Sequence, residues 1–366
     1  MTLSQPADAL PIRVLVVDDS VVVRHAIAVA IDAAPGLELA GTATNGRLAL
    51  DKVAALQPDA VVLDLEMPEM GGLEALAHLR ERDPDLPVVI FSYIRPTHAS
   101  EVMDALSVGR TEFVLKPTAA DGIGLASNYI RAELIPVIVE IVRKRTPIGM
   151  RWVGGPGTRE PSSGAPTSGG RRTPQVVAAI VIAISTGGPT ALEEVLGGLS
   201  APLPVPILIV QHMPAMFTRL LADRLDSLTP AAVTEAVHGQ LVAPGQVLIA
   251  PGDQHMAVAG NGAVRIELSA GPKENFCRPS ADVLFRSAAR VYRAGTLAVV
   301  MTGMGQDGAR GSRDVLAAGG SLIAQAPETA TIPTMPAAVA DIANAVVRLD
   351  QMAAELTRRT AGDVPR

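Results

Sequence analysis

Residues Ile12–Ser20 read IRVLVVDDS: six residues rich in β-branched and apolar side chains that stop on two adjacent carboxylates, Asp18 and Asp19. A short, continuous apolar run of this kind is the mark of a strand buried on both faces, which belongs to a parallel sheet covered by helices. The pattern repeats outward from it. Leu37–Ala43, Ala60–Leu63, Val88–Ser92 and Glu112–Leu115 are further strand-like runs, and amphipathic stretches of helical period fill the gaps between them. Alternating strands and helices predict an α/β domain with a doubly wound parallel sheet, in which ligands sit at the carboxyl ends of the strands.

The polar residues collect at those ends. The third strand is followed by Asp64, the fourth closes on Ser92, and the fifth is followed by Lys116 and Pro117. Asp18, Asp19 and Asp64 on one sheet edge would repel one another without a cation, and Mg²⁺ is the hard, oxygen-liganded ion that suits a few carboxylates and a phosphoryl group. Such a site suits phosphoryl transfer to Asp64, with Mg²⁺ and Lys116 offsetting charge on the transferred group. Any one of these acids, taken singly, also reads as a helix or turn cap. It is the set at successive strand ends that points to chemistry.

From Gly154 to Pro174 the chain reads GGPGTREPSSGAPTSGGRRTP, with no apolar periodicity. This composition cannot bury enough apolar surface to offset chain entropy, and structureless loops of that length are uncommon inside compact domains. The 366 residues also exceed what a single core usually organises. The expected division is therefore 1–142, a linker over 143–175, and a second domain over 176–366.

The second domain restarts the α/β pattern with VVAAIVIAISTGGP, residues Val176–Pro189, which ends a buried strand on Ser185 and opens a helix with Thr186, Gly187 and Gly188. Paired glycines permit a sharp turn, and helix N-terminal amides can face a developing oxyanion. The segment is not a G-x-S-x-G elbow, since Ala183 and Ile184 precede the serine. The rival reading, a phosphate-binding turn, lacks a nearby G-K-[ST] or a full G-x-G-x-x-G. A nucleophilic serine needs a base, and the domain offers His212, His238 and His255. Only His212 directly follows a strand, PILIVQ, and so shares the sheet edge of Ser185. Asp307, just past the buried run LAVVMTG, is the candidate for orienting the imidazole, though a plain turn acid is its other reading.

Composition excludes some classes. Aromatic residues make up only 2% of the chain and its formal charge is −6, which argues against base-stacking platforms and a phosphate-backbone partner. The single cysteine, Cys277, rules out an intramolecular disulfide and a multi-cysteine zinc site, as expected in a reducing compartment. No apolar run reaches bilayer-spanning length, so a cytoplasmic protein without membrane insertion is expected.

The segments VLVVDDS, LDLEMPEMGGLEAL, VVIFS and FVLKP resemble the receiver domain of two-component response regulators over roughly residues 11 to 140. That resemblance implies a flavodoxin-like fold, Asp64 as phospho-acceptor, Asp19 as direct and Asp18 as outer Mg²⁺ carboxylate. It further implies Glu66 as the donor of a backbone carbonyl to the metal, and Ser92 with Lys116 as the switch pair.

STGGP, QHMP, IAPG, RPSADVLFRSAA and MTGMGQDGA resemble the Rossmann-like catalytic domain of the chemotaxis protein-glutamate methylesterases, from about Val176 to Arg348. This second resemblance implies a serine hydrolase with triad Ser185, His212 and Asp307, and an oxyanion site from Thr186 and the backbone of Met304. It implies demethylation of glutamyl methyl esters on chemoreceptors with release of methanol, deamidation of glutamines there, a chemotaxis histidine kinase as phosphodonor, and no cofactor for the esterase. Two departures stand out: A-I-S-T-G-G replaces the usual G-A-S-T-G-G, and Cys277 precedes the RPS segment where a larger polar or aromatic residue is common. Cys277 itself reads as a small buried thiol. The alternative of the same fold is a docking scaffold without hydrolysis. A transcriptional regulator would need a basic helix-turn-helix module, which the C-terminal half lacks.

Overall fold

The computed structural model describes residues 10–93, 99–106, 110–117, 127–143 and 176–361. The segment expected to be the linker lies outside these residues from 144 onward, and its first residue, Arg143, still belongs to a helix.

The first unit runs β1 (Ile12–Val17), α1 (Val21–Asp32), β2 (Leu37–Ala43), α2 (Gly46–Leu56), β3 (Ala60–Leu63), α3 (Gly72–Arg82), β4 (Val88–Ser92), α4 (Ala99–Leu106) and β5 (Thr111–Leu115). A π-helical turn, Ile130–Leu134, then leads into α5 (Ile135–Arg143). The five strands pair in parallel in the order β2-β1-β3-β4-β5. Alternation along β1 splits its side chains between two cores: Leu15 and Val17 join one apolar cluster, Val14 and Val16 the other. Helix starts are set by short polar side chains. Asn45 accepts the Leu48 amide at 2.9 Å ahead of α2, and Ser20 accepts that of Val23 ahead of α1.

The second unit runs β6 (Ala179–Ile184), α6 (Gly188–Gly197), β7 (Ile207–Gln211), α7 (Ala215–Leu228), β8 (Ala232–Glu235), β9 (Gln246–Ile249), β10 (His255–Ala259) and β11 (Arg265–Ser269). It continues with α8 (Ala281–Tyr292), β12 (Thr296–Val300), α9 (Ala309–Ala317), β13 (Ser321–Gln325), α10 (Thr334–Ala337), β14 (Ala345–Val347) and α11 (Leu349–Thr360). Seven strands form a parallel sheet in the order β14-β13-β12-β6-β7-β9-β8. The Gly- and Pro-rich middle adds what the parallel pattern did not foretell, an antiparallel hairpin of β10 and β11.

The order around β6 matters most. Its successor β7 lies on one side and the later β12 on the other, so the chain reverses its winding direction at β6. Crevices open at the carboxyl edge of such a switch point. Ser185, His212 and Asp307 follow β6, β7 and β12, the three strands that meet there. Ala183 and Ile184, the two departures before Ser185, are fully buried and point into opposite apolar layers of the sheet, away from its edge.

Candidate functional sites

In the first unit the strand ends assemble a charged pocket. Lys116 Nζ lies 2.6 Å from Asp64 Oδ2 and 2.6 Å from Asp18 Oδ2. Ser92 Oγ donates to Asp64 Oδ1 at 2.7 Å, and the Leu65 amide donates to the same oxygen at 2.8 Å. Asp18 is fixed by the Ser20 amide, which donates to its Oδ1 at 2.8 Å. Burial raises the pKa of Asp18 against the opposing pull of Lys116, while burial would lower that of Lys116 and its two carboxylates more than reverse the effect. Asp19 is exposed, yet one oxygen from each of Asp18, Asp19 and Asp64 falls within 4.8 Å of the others, a donor set that fits a hard divalent cation. Glu66 follows two residues behind Asp64, its side chain half-buried.

In the second unit the register of β6 against β7 pairs Ile184 with Gln211, and the His212 amide donates to the Ile184 carbonyl at 3.1 Å. Nucleophile and base candidates are thus neighbours by sheet geometry. The Gln211 carboxamide ties them further, donating to the carbonyls of Ser185 (3.0 Å) and His212 (3.2 Å). A Cβ at Gly188 would sit 1.9 Å from Gln211 Oε1, so any larger residue there would displace the carboxamide that ties the two strand ends. Gly187 takes φ +76°, the left-handed conformation that lets the chain turn from Ser185 into α6. The Ser185 hydroxyl itself has no hydrogen-bond partner among the described residues.

His212 Nε2 meets Asp307 Oδ2 at 2.7 Å. The carboxylate is held from every side: Ser280 Oγ (2.7 Å) and Asn275 Nδ2 (2.7 Å) donate to Oδ1, and the Ala281 amide (2.6 Å) donates to Oδ2. The Asp282 amide also reaches Oδ1 at 3.3 Å, so Asp307 caps the N-terminus of α8. Burial alone would raise the Asp307 pKa, but the His212 bond and charge, with Ser280 and Ala281, hold it down at about 2. Burial would conversely lower that of His212; the Asp307 and Cys277 contacts outweigh it and hold the imidazole up at about 10. A fixed anion beside a histidine is the arrangement that orients a general base and stabilises it once charged.

The other candidate bases are structural. His255 is buried with Nδ1 accepting from the Ser280 amide and Nε2 against the Pro272 carbonyl, and His238 Nδ1 accepts from the Leu268 amide. Thr186 contributes its carbonyl to the Thr302 hydroxyl at 2.8 Å, and Met304 lies half-buried on the rim. Sequence reasoning missed Asn275, in a tight turn with no periodic pattern, and Ser280 and Asp282, at the start of α8, all of which support Asp307.

It also missed which receiver residues meet the second unit. Glu112 Oε2 of β5 accepts the Gly187 amide at 3.3 Å, Phe113 packs edge-to-face on Phe217 at 5.8 Å, and Arg224 Nη1 pairs with Asp104 at 2.9 Å. Met304 and Ile332 join the apolar cluster of the first unit, and the Glu133 carboxyl, raised by its burial, feels the charge of His212.

Fold and sites together define a class: a receiver-type domain coupled to a Rossmann-like α/β domain with a candidate hydrolase site. Family models match the same two halves, the response regulator receiver domain over residues 14–126 and the CheB methylesterase over 180–356. A protein-glutamate methylesterase/protein-glutamine glutaminase of Nocardioides sp. is 42% identical, with 97% of each chain covered. That of Trichodesmium erythraeum is 38% identical over 95% of this chain and 98% of its own. Among solved structures, the Thermotoga maritima CheB methylesterase catalytic domain is 40% identical with a TM-score of 0.49, covering 50% of this chain and 98% of that one. The receiver of Thermotoga maritima CheB is 32% identical with a TM-score of 0.32, covering 36% of this chain and 97% of that one. The chain belongs to the protein-glutamate methylesterase/protein-glutamine glutaminase family.

Proposed function

We propose that this chain demethylates glutamyl methyl esters on chemoreceptors in bacterial chemotaxis, releasing methanol, and deamidates receptor glutamines by the same chemistry, under control of phosphorylation at Asp64. The observation that carries the reading is the convergence of Ser185, His212 and Asp307 on three adjacent strand ends, with the imidazole fixed by a carboxylate. Because Asp307 occupies Nε2, Nδ1 is the nitrogen left for Ser185, and with the imidazole held up at about 10 it must first release its own proton before it takes that of Ser185 as the serine oxygen attacks the ester carbonyl. The protonated imidazole gives that proton to the departing methoxide, or to the departing amine of a glutamine. Water then repeats the sequence on the acyl-serine and frees the glutamate. Thr186 and the backbone of Met304 would receive the oxyanion, an assignment that rests on family likeness.

In the receiver, Asp18, Asp19 and Asp64 with the backbone carbonyl of Glu66 would hold Mg²⁺, which offsets phosphoryl charge when bound. Asp64 would accept the phosphoryl group from a chemotaxis histidine kinase, Lys116 would move to it, and Ser92 would follow it. Control works through docking: Glu112 reaches the Gly187 amide, Glu133 feels His212 and Phe113 packs on Phe217 of α7, and phosphorylation shifts the population toward an undocked form. The division into a receiver over 1–142, a linker over 143–175 and a catalytic domain over 176–366 follows from the same reading. The deciding experiment is Ser185→Ala in the full chain: methanol release from methylated receptor is abolished, while Asp64 still takes phosphate from acetyl phosphate. Methanol release at the parental rate would remove Ser185 from the mechanism.

A further inference from the structure

The nitrogen of His212 that faces away from Asp307 has a neighbour the esterase chemistry does not use. Cys277 Sγ lies 3.8 Å from His212 Nδ1. The thiol is placed there by a tight turn in which Glu274 and Cys277 exchange two backbone hydrogen bonds, at 3.1 and 2.8 Å. Its two central residues, Asn275 and Phe276, take φ of +52° and +64°, a left-handed pair that a phenylalanine adopts only under constraint. The constraint is visible: Asn275 Nδ2 bonds Asp307 Oδ1 at 2.7 Å and Asp282 Oδ2 at 2.8 Å. The carboxylate that orients the imidazole therefore also anchors the turn carrying the thiol. Sulfur, ring nitrogen and carboxylate oxygen fall within 4.8 Å of one another.

We propose that Cys277 and His212 form a binding site for a borderline-soft divalent cation, Zn²⁺ being the best match, and that its occupancy switches the esterase off. Zinc–sulfur and zinc–imidazole bonds of about 2.3 and 2.0–2.1 Å meeting at a tetrahedral angle put sulfur and nitrogen about 3.6 Å apart. The observed 3.8 Å requires no rearrangement of the backbone. On coordination the Cys277 thiol and the His212 Nδ1–H each lose a proton to solvent, so that a thiolate and a neutral imidazole bind the cation, and water completes the shell. Asp307 on the opposite ring nitrogen supplies the outer carboxylate that metal-bound histidines commonly have. Hard ions favour the all-carboxylate pocket of the receiver instead, so the two sites sort cations by softness. The inhibitory half of the proposal rests on His212 being the general base, because the cation occupies the lone pair that Ser185 needs.

The test uses Co²⁺ as a spectroscopic stand-in, added to the full chain in excess Mg²⁺ to keep the receiver carboxylates filled. Since Cys277 is the only cysteine, a near-ultraviolet thiolate-to-cobalt band has one possible source. The band should saturate at one equivalent, bleach on adding Zn²⁺, vanish in Cys277→Ser and weaken at least tenfold in affinity in His212→Ala. A folded full chain without the band, or a band indifferent to His212→Ala, overturns the site. In parallel, Zn²⁺ should lower methanol release at least tenfold in the parent, with recovery on chelation, and much less in Cys277→Ser. An intact cobalt band with undiminished methanol release leaves the site standing and overturns its inhibitory role, whereas metal-free His212→Ala releasing methanol at the parental rate would overturn the assignment of His212 as base.

Discussion

Replacing Phe113 by alanine tests the docking of the receiver over the cleft at its most tractable point. The ring belongs to β5 of the first unit and meets Phe217 of α7 at 5.8 Å with an interplanar angle of 60°. Phe217 is fully buried, so the substitution is best placed on the half-buried partner. An edge-to-face pair contributes about 0.5–1.5 kcal/mol beyond its burial. The apolar area lost with half a ring adds about 1 kcal/mol, part of which belongs to the receiver itself and leaves the docking equilibrium untouched. A net loss of about 1.5 kcal/mol from docking shifts the docked-to-undocked ratio roughly tenfold. Basal methanol release should therefore rise roughly tenfold, whereas the rate of the phosphorylated chain, already undocked, should change by less than about twofold. Both rates are read from methylated receptor with and without acetyl phosphate, and phosphate uptake by Asp64 reports that the receiver is folded. Unchanged basal release with normal uptake, or an equal change in both rates, would refute the docking argument.

Three further outcomes follow from the sites. Asp307→Asn keeps the shape of the carboxylate but removes the charge that pairs with His212, and should lower kcat for methanol release by about 10³–10⁴ with the fold retained; a loss under tenfold would contradict the orienting role. The His212–Asp307 pair also sets a pH trend. The pKa of His212 is raised in the folded state, so its contribution to stability is full below about 6.5, the ordinary histidine value, and fades as pH climbs toward about 10. The gap in urea midpoint between parent and His212→Gln should accordingly shrink between pH 6 and 9.5, and a widening gap would reverse the sign of the reasoning. Finally, Lys116→Met leaves Asp18 and Asp64 buried without their shared cation and should cost about 3 kcal/mol in chelator; added Mg²⁺ should restore part of this loss, and equal stability with and without Mg²⁺ would tell against the carboxylate pocket as its site.

Much of the fold was legible because each parallel strand is an uninterrupted apolar run ending on a polar residue. Asp18, Asp64 and Ser92 could be placed on one edge for that reason, as could Ser185 and His212, whose strands are consecutive in the chain and adjacent in the sheet. Asp307 was harder, since β12 reaches its place beside β6 only through the winding reversal, which no local pattern announces. The support for Asp307 was illegible. Asn275 and Ser280 sit in a loop shaped by tight-turn geometry, and Cys277, read as a small buried thiol, is half-buried and faces the His212 nitrogen opposite Asp307. Least legible of all was the pairing of Glu112 with Gly187, because it joins two domains 75 residues apart in sequence and depends on how one surface lies on another.

That pairing has a lopsided chemistry. The acceptor is a side chain of the receiver, but the donor is a main-chain amide of the hydrolase domain. Position 187 is held to glycine by its positive φ and by Thr331, whose Oγ1 a Cβ would approach to 2.1 Å, so the donor side is fixed, whereas a single base change can erase the Glu112 carboxylate. The tightness of the resting state can thus be retuned by altering the sensor alone, with the nucleophile turn left as it is. A lineage could loosen or stiffen its adaptation response without risking the catalyst.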